Sequence, residues 1–513
     1  MNIKQAKIEI KQAIKAYLSK DIFGEYRIPV VKQRPILLIG APGIGKTAIM
    51  EQVARECKIG LVSYTMTHHT RQTAIGLPFI KEKQYGGETY STTEYTMSEI
   101  IAAVYEQMEK TGLKEGILFL DEINCVSETL APTMLQFLQY KRFGNHQLPA
   151  GWVIVTAGNP PEYNKSVREF DLVTLDRVKK IEIEENFTVW KEYAYEQDIH
   201  GAILSYLEIK KEHFYDIQTT VDGKIFVTAR GWEDLSRMME TYEELNIPIT
   251  ESLIVQYLQH PAIAKDFANY LDLYKKYQDI YHVDEVLKGN WNTAIKQRLE
   301  QAAFDEKLSV IGLMLDRLSS NMMEADGMDQ VTTEVFAYLK QWKMNLHRPS
   351  YESYSGQDMI EMIIKQQTDK AQSQKKAGLL DRRGWQIQMQ ITKQLEQYEK
   401  QVNSLNETTA QAAFDFVKTK FQDLVADRRE IISSVKQQLD MAFLFMEEVF
   451  GDSQEMVIFL TELSANPFAT RFISQNGCEA YYRHNRELLF YEKHKSILED
   501  IEALKKEEQL ELL

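Results

Sequence analysis

Glycine and proline are scarce in this chain of 513 residues, at 24 and 12, and that scarcity favours helix. Cysteine is scarcer still. Cys57, Cys125 and Cys478 are odd in number, far apart and in no C-x-x-C spacing. They support neither a disulfide framework nor a cysteine-built zinc site, and they fit a reducing compartment. No apolar run approaches the roughly 18–20 residues needed to span a bilayer. The first twenty residues carry a lysine every three to five positions and no apolar core of signal-peptide type. Together these absences predict a soluble, cytosolic protein. Excess positive charge is missing too. A net charge of −15 argues against a dedicated nucleic-acid binder, which needs clustered Lys and Arg, although a local basic groove stays open.

What is present is globular in character, with 44% hydrophobic and 26% charged residues. The length calls for about three to five compact units. Thirteen of the glycines and eight of the prolines fall before residue 162. Residues 1–185 hold 23 basic and 22 acidic residues, against 37 and 53 in the remainder. A neutral, turn-rich third therefore precedes an acidic, helical remainder.

In the first third, Ile3, Ile10, Ala13, Ile14, Tyr17 and Leu18 share one face of a leading amphipathic helix. Short apolar runs then alternate with helical patterns. Strands are expected at 36–39, 61–65, 117–120, 152–157 and 180–183, and helices at 47–57, 98–110, 127–140 and 166–170. Runs as apolar as Ile117-Leu118-Phe119-Leu120 suit a parallel sheet covered on both faces. Residues 79–95, polar and aromatic around Gly86-Gly87, read as an inserted β-hairpin. From about Phe187 the pattern is helices and short loops, with Trp232, Leu235, Met238, Met239 and Tyr242 at core spacing. The charged, aromatic stretch 270–281 marks an expected domain boundary, and the polar stretch 366–376 an expected linker. Ile391, Leu395, Tyr398, Val402 and Leu405 keep a heptad for about two repeats, which indicates one long helix of a hairpin or bundle.

Gly40-Ala41-Pro42-Gly43-Ile44-Gly45-Lys46-Thr47 satisfies G-x-x-x-x-G-K-[ST] directly after an apolar strand and at the start of a helix. The glycines let successive backbone N–H groups face phosphate oxygens. Lys46 reaches the β- and γ-phosphates of a nucleotide, and Thr47 offers a hydroxyl to Mg²⁺. Gly40, Pro42, Gly43, Ile44, Gly45, Lys46, Thr47 and Ala48 are the expected nucleotide contacts. The strand 117–120 delivers Asp121 to its carboxyl end, placed for the Mg²⁺ shell, and then Glu122, placed to polarise an attacking water. After the strand 152–157, Asn159 either orients that water or opens the turn before Pro160-Pro161. His68-His69 lacks neighbouring metal ligands in sequence and reads as a polar loop. The hairpin tyrosines Tyr85, Tyr90 and Tyr95 either pack across the strands or grip a substrate chain.

In their order, Gly40–Thr47, Leu118–Glu122, Asn159, Leu175-Asp176-Arg177 and Arg230 resemble an AAA+ ATPase. The hairpin ahead of the Asp-Glu strand resembles the MoxR branch. The resemblance covers about residues 1–270. It implies ATP and Mg²⁺ as ligands, a ring, usually a hexamer, and ATP at subunit interfaces. It further implies Asn159 as sensor 1, Arg230 as sensor 2 and Arg177 as the finger that reaches a neighbouring subunit's γ-phosphate, with Arg168 a second interface candidate. Val178 stands where the family commonly has Phe, and Ala229 where it commonly has Pro. The expected architecture is a P-loop α/β/α parallel sheet over 1–185, a helical lid over 186–275 and an all-α domain over 276–513. The expected function is chaperone-like remodelling of a protein partner, which the resemblance extends to proteins with a von Willebrand factor A domain. A nucleic-acid motor and a slow nucleotide switch or scaffold are the alternatives.

Overall fold

A computed structural model describes residues 1–486 except 69–70, 164–166, 168–169, 222, 352 and 406–408, with backbone alone at 68, 71 and 73. The chain divides into two bodies. The first comprises Met1–Val189, Thr228–Arg230 and Gln357–Asn406, and the second comprises Trp190–Val227, Gly231–Gly356 and Glu407–Leu513.

The first body is built on strands β1 (Ile36–Gly40), β2 (Gly60–Thr65), β5 (Gly116–Asp121), β8 (Trp152–Gly158) and β9 (Lys179–Ile183). The intervening β3 (Pro78–Tyr85) and β4 (Glu88–Tyr95) form one hairpin, and the short β6 (Arg142–Phe143) and β7 (His146–Gln147) another. The five main strands are parallel in the order β2-β5-β8-β1-β9. All of β8, and β5 up to its last residue, are buried, as the apolar runs require of strands covered on both faces. Leu37, Leu118 and Leu120 share one core with Ile100, Val104, Met134 and Phe137 from the helices Glu99–Thr111 and Ala131–Tyr140. The helix Lys46–Cys57 packs on β2 and β5, and Ile3–Tyr17 packs on that helix and on β9. This is the P-loop α/β sheet expected from the sequence, followed by a largely helical remainder.

Several local expectations shift. The helix expected at 127–140 starts only at Ala131, with Pro132 in its first turn where the missing N–H costs nothing. Most of the helix expected at 166–170, together with Arg168, lies outside the described residues. A single turn, Leu172–Leu175, is present instead, capped by the Asp171 carboxylate accepting from Thr174 N. The β3–β4 hairpin turns at Gly86-Gly87 with φ of 61° and 90°, the left-handed pair such a turn requires.

Residues 366–376 are not a linker. They complete the helix Gly356–Lys376, which pairs with Arg382–Asn403 as a helical hairpin closed by the Gln367 amide donating to Gln388. Lysine and glutamine are good helix formers, so a polar solvent face resembles a linker in composition. The buried positions Ile387, Ile391, Leu395, Tyr398 and Val402 follow the heptad read in the sequence.

In the second body, the charged, aromatic stretch 270–281 lies inside the unbroken helix Pro261–Tyr281. A two-stranded ribbon, β10 (Asp216–Thr220) with β11 (Gly223–Val227), was not anticipated among the helices. Two helices of 42 and 41 residues, Phe304–Asn345 and Ala410–Phe450, pack along one another. Lys191 is buried and donates to Glu208 at 2.6 Å and to the buried Glu462, which also accepts from the Tyr195 hydroxyl at 2.7 Å.

Candidate nucleotide site

The site gathers at the carboxyl ends of the parallel strands. There, β1 leads to a helix on one side of the sheet while its neighbour β8 comes from much later in the chain. Such a switch point opens a crevice for a ligand. The register Ile39↔Gly158 sets the residues that follow the two strands side by side. That pairing brings Asn159 to the phosphate loop across more than a hundred residues of sequence.

The loop itself is shaped by its glycines. Gly43 and Gly45 adopt φ of 75° and 93°, a region open to glycine and costly to other residues. At Gly40 the constraint is space, since a Cβ there would lie 2.6 Å from the Ile183 carbonyl oxygen. Gly45 caps the helix that starts at Lys46, so the first N–H groups of that helix point into the crevice. Pro42 is half-buried, while Ala41 and Ile44 pack into the interior.

Lys46 Nζ donates to the carbonyls of Gly40 and Ala41, both at 2.8 Å, and to Asn159 Oδ1 at 2.9 Å. Burial pushes its pKa down to about 8; the charges of Asp121 and Glu122 oppose that shift and the Arg230 guanidinium adds to it. Thr47 Oγ1 donates to Asp121 Oδ2 at 3.1 Å. A hydroxyl and a carboxylate held this close are the hard oxygen donors that suit Mg²⁺. Among the described residues no cluster of three or more His, Cys, Asp and Glu could hold a metal, and His69 with the side chain of His68 lies outside them.

Glu122 follows with φ 55° and ψ 36°, a left-handed conformation for a non-glycine residue. Its N–H donates to Asp121 Oδ1 at 2.9 Å. Strain of this kind costs on the order of 1–3 kcal/mol and persists where surrounding structure holds it. It turns the chain sharply at the strand end.

Residues 36–174 match the family model for the ATPase family associated with various cellular activities (AAA). Residues 36–174 are an AAA ATPase domain. A domain of this family implies ATP hydrolysis, and AAA ATPases bind ATP with Mg²⁺. No curated protein sequence matches the chain.

Two arginines flank the AAA domain's site differently. Arg230 is exposed, and its N–H donates to the Gly43 carbonyl at 3.2 Å, while Thr228 packs on Gly43, where a Cβ would meet it at 2.9 Å. Its charge acts on Lys46. Arg177 is exposed as well and donates to Gln139 Oε1 at 2.8 Å. It precedes β9, whose first residue pairs with Ile36, so it sits at the amino end of the sheet. At about 3.3 Å per residue, that is roughly 15 Å from the phosphate loop. Asn124, Gly158 and Thr228 also belong to this neighbourhood and were not anticipated. A Gly-Asn pair after the fourth sheet strand was the one usable signal.

Proposed function

We propose that the protein is a MoxR-like AAA+ ATPase that couples ATP hydrolysis to remodelling or maturation of a protein partner. The convergence of Lys46, Thr47, Asp121, Glu122 and Asn159 at one switch point carries this reading. Gly40, Pro42, Gly43, Ile44, Gly45 and Ala48 line the phosphates, and Lys46 neutralises them. Thr47 and Asp121 hold Mg²⁺, which supplies charge compensation on the β- and γ-phosphates. Glu122 accepts a proton from the attacking water, and Asn159 orients it. Arg230 contacts the γ-phosphate as sensor 2. A guanidinium suits that task because its charge is permanent and its donors are rigidly arrayed.

Arg177 acts on a neighbouring subunit, a role supported by its position at the sheet end away from its own phosphate loop. Subunits accordingly assemble into a closed ring, a hexamer by resemblance. Residues 1–185 are the nucleotide-binding domain, 186–275 the lid and 276–513 a helical domain that meets the partner. Among the described residues no helix is long and apolar enough to cross a membrane, and the acidic C-terminal part favours a protein partner over nucleic acid, in the cytoplasm. Phe79, Ile80, Tyr85 and Tyr90 are exposed on the β3–β4 hairpin and support a grip on protein, while Tyr85 and Tyr90 also contact each other with ring centres 6.2 Å apart. A von Willebrand factor A domain protein is the partner class the branch implies.

The test is a pull-down with Glu122→Gln in ATP, with the mass of the assembled particle measured alongside. A ring holding a specific protein supports the proposal. A monomer in ATP that retains nothing overturns the remodelling role and leaves the ATPase standing.

A further inference from the structure

Asn124 lies beside the reacting groups, and none of the roles above uses it. The residue is 5% exposed. Nδ2 donates to the backbone oxygen of Asn159 at 2.8 Å, while Oδ1 is buried without a hydrogen-bond partner. An orphaned buried acceptor costs stability, so packing elsewhere must hold the amide in that orientation.

Gly158 shows what reserves the space. A Cβ at this position would lie 2.5 Å from Asn124 Oδ1 and 2.8 Å from its Cγ. Gly158 is not among the glycines with positive φ, so the missing side chain, and not backbone freedom, is what the site uses. The Asn124 amide thus fills the volume that any other residue at 158 would occupy.

At its other end, Asn124 belongs to the 3-10 turn Ile123–Cys125, which Glu122 opens in its left-handed conformation. One side chain therefore bridges the turn that aims Glu122 and the strand end that presents Asn159. The Asn159 amide in turn accepts from Lys46.

We infer that Asn124 is a positioning residue for ATP hydrolysis, fixing the spacing between Glu122 and Asn159, with Gly158 keeping its place open. This rests on the proposed roles of Glu122 and Asn159. Its effect should fall mainly on the chemical step, because Asn124 bonds the backbone oxygen of Asn159 and the Lys46 bond is made to the Asn159 side chain.

The experiment is steady-state ATP hydrolysis by the full chain and by Asn124→Ala, Gly158→Ala, Asn159→Ala and the double variant Asn124→Ala/Asn159→Ala. Displacement of reacting groups by about 1 Å costs up to roughly 100-fold, so Asn124→Ala and Gly158→Ala should each lower kcat about 10–100-fold. KM for ATP should stay within about threefold of the parent. The double variant should lose less than the product of the two single losses, since Asn124 helps to place the amide that Asn159→Ala removes. Parental kcat in Asn124→Ala overturns the inference, as does a double variant whose losses multiply. If Asn124→Ala fails to fold by near-UV circular dichroism, Gly158→Ala, which retains the amide and displaces it, decides alone. Parental hydrolysis by Glu122→Gln would instead overturn the underlying assignment of the water-activating group.

Discussion

Lys46 Nζ lies 2.9 Å from Asn159 Oδ1, a bond between the first residue of one helix and the residue just past a strand more than a hundred positions later. It exists because β8 pairs with β1, and it joins a phosphate-neutralising cation to the group proposed to orient water. A change in either is therefore felt by the other. Asn159 also gives the lysine a third oxygen in a pocket where burial already disfavours its charge.

Removing the cation should end nucleotide binding. Lys46→Ala is expected to lose ATP affinity by at least 100-fold in equilibrium titration with a fluorescent analogue. Glu122→Gln should bind ATP with near-parental affinity and hydrolyse it at least 100-fold more slowly. Parental turnover by both variants would show that the reacting groups lie elsewhere.

Nucleotide affinity should fall in alkaline solution. Only protonated Lys46 neutralises phosphate, and its pKa of about 8 lies well below the usual lysine value. Above pH 8 a growing share of the free protein must take up a proton to bind. The apparent Kd for ATP should then rise toward about tenfold per pH unit by pH 9–10. Calorimetry in buffers of different ionisation enthalpy would detect that proton, and a flat profile from pH 7 to 9.5 would refute the coupling.

A second buried lysine links stability to pH. Lys141 is 2% exposed, contacts the Gln33 side-chain oxygen at 3.2 Å, and is pushed down to about 8 by burial. Between pH 8 and 10.5 the unfolded chain holds a proton that folded Lys141 has released, so its contribution rises with pH across that window. The full effect is about 3 kcal/mol. Lys141→Met should flatten the rise of the thermal midpoint between pH 7.5 and 9.5 and raise the midpoint at pH 7. An unchanged slope would show that Lys141 is solvated.

Arg177→Ala should bind ATP normally and hydrolyse it about 1,000-fold more slowly. Mixing it with Glu122→Gln, which lacks the base and retains Arg177, should restore part of the activity in assembled particles. Absence of rescue at ratios that give mixed particles would place the arginine's role within its own subunit.

Lys191→Ala should leave the buried Glu462 carboxylate without its cation and cost about 3–5 kcal/mol. Urea unfolding of the second body, followed by tryptophan fluorescence, would measure it. A loss below 1 kcal/mol would mean that water reaches the pair.

The phosphate loop and the Asp121-Glu122 strand end were legible because each is contiguous and its neighbours in sequence are its neighbours in space. Asn159 was legible only as the residue that follows an expected strand, and through the family resemblance. Asn124 was not, since an asparagine in a turn has many uses and its partner at 159 is fixed by tertiary pairing. The same limit explains residues 366–376, where the solvent face of a helix has the composition of a linker. It also explains the ribbon 216–227, whose short strands carry no sustained alternation.

The 42-residue helix Phe304–Asn345 has a mechanical consequence. At 1.5 Å per residue it is about 63 Å long, and the 41-residue Ala410–Phe450 braces it side by side. If such a braced pair moves as one rod, it behaves as a lever. A tilt of about 5° at one end carries the other end roughly 5 Å, about one helical turn.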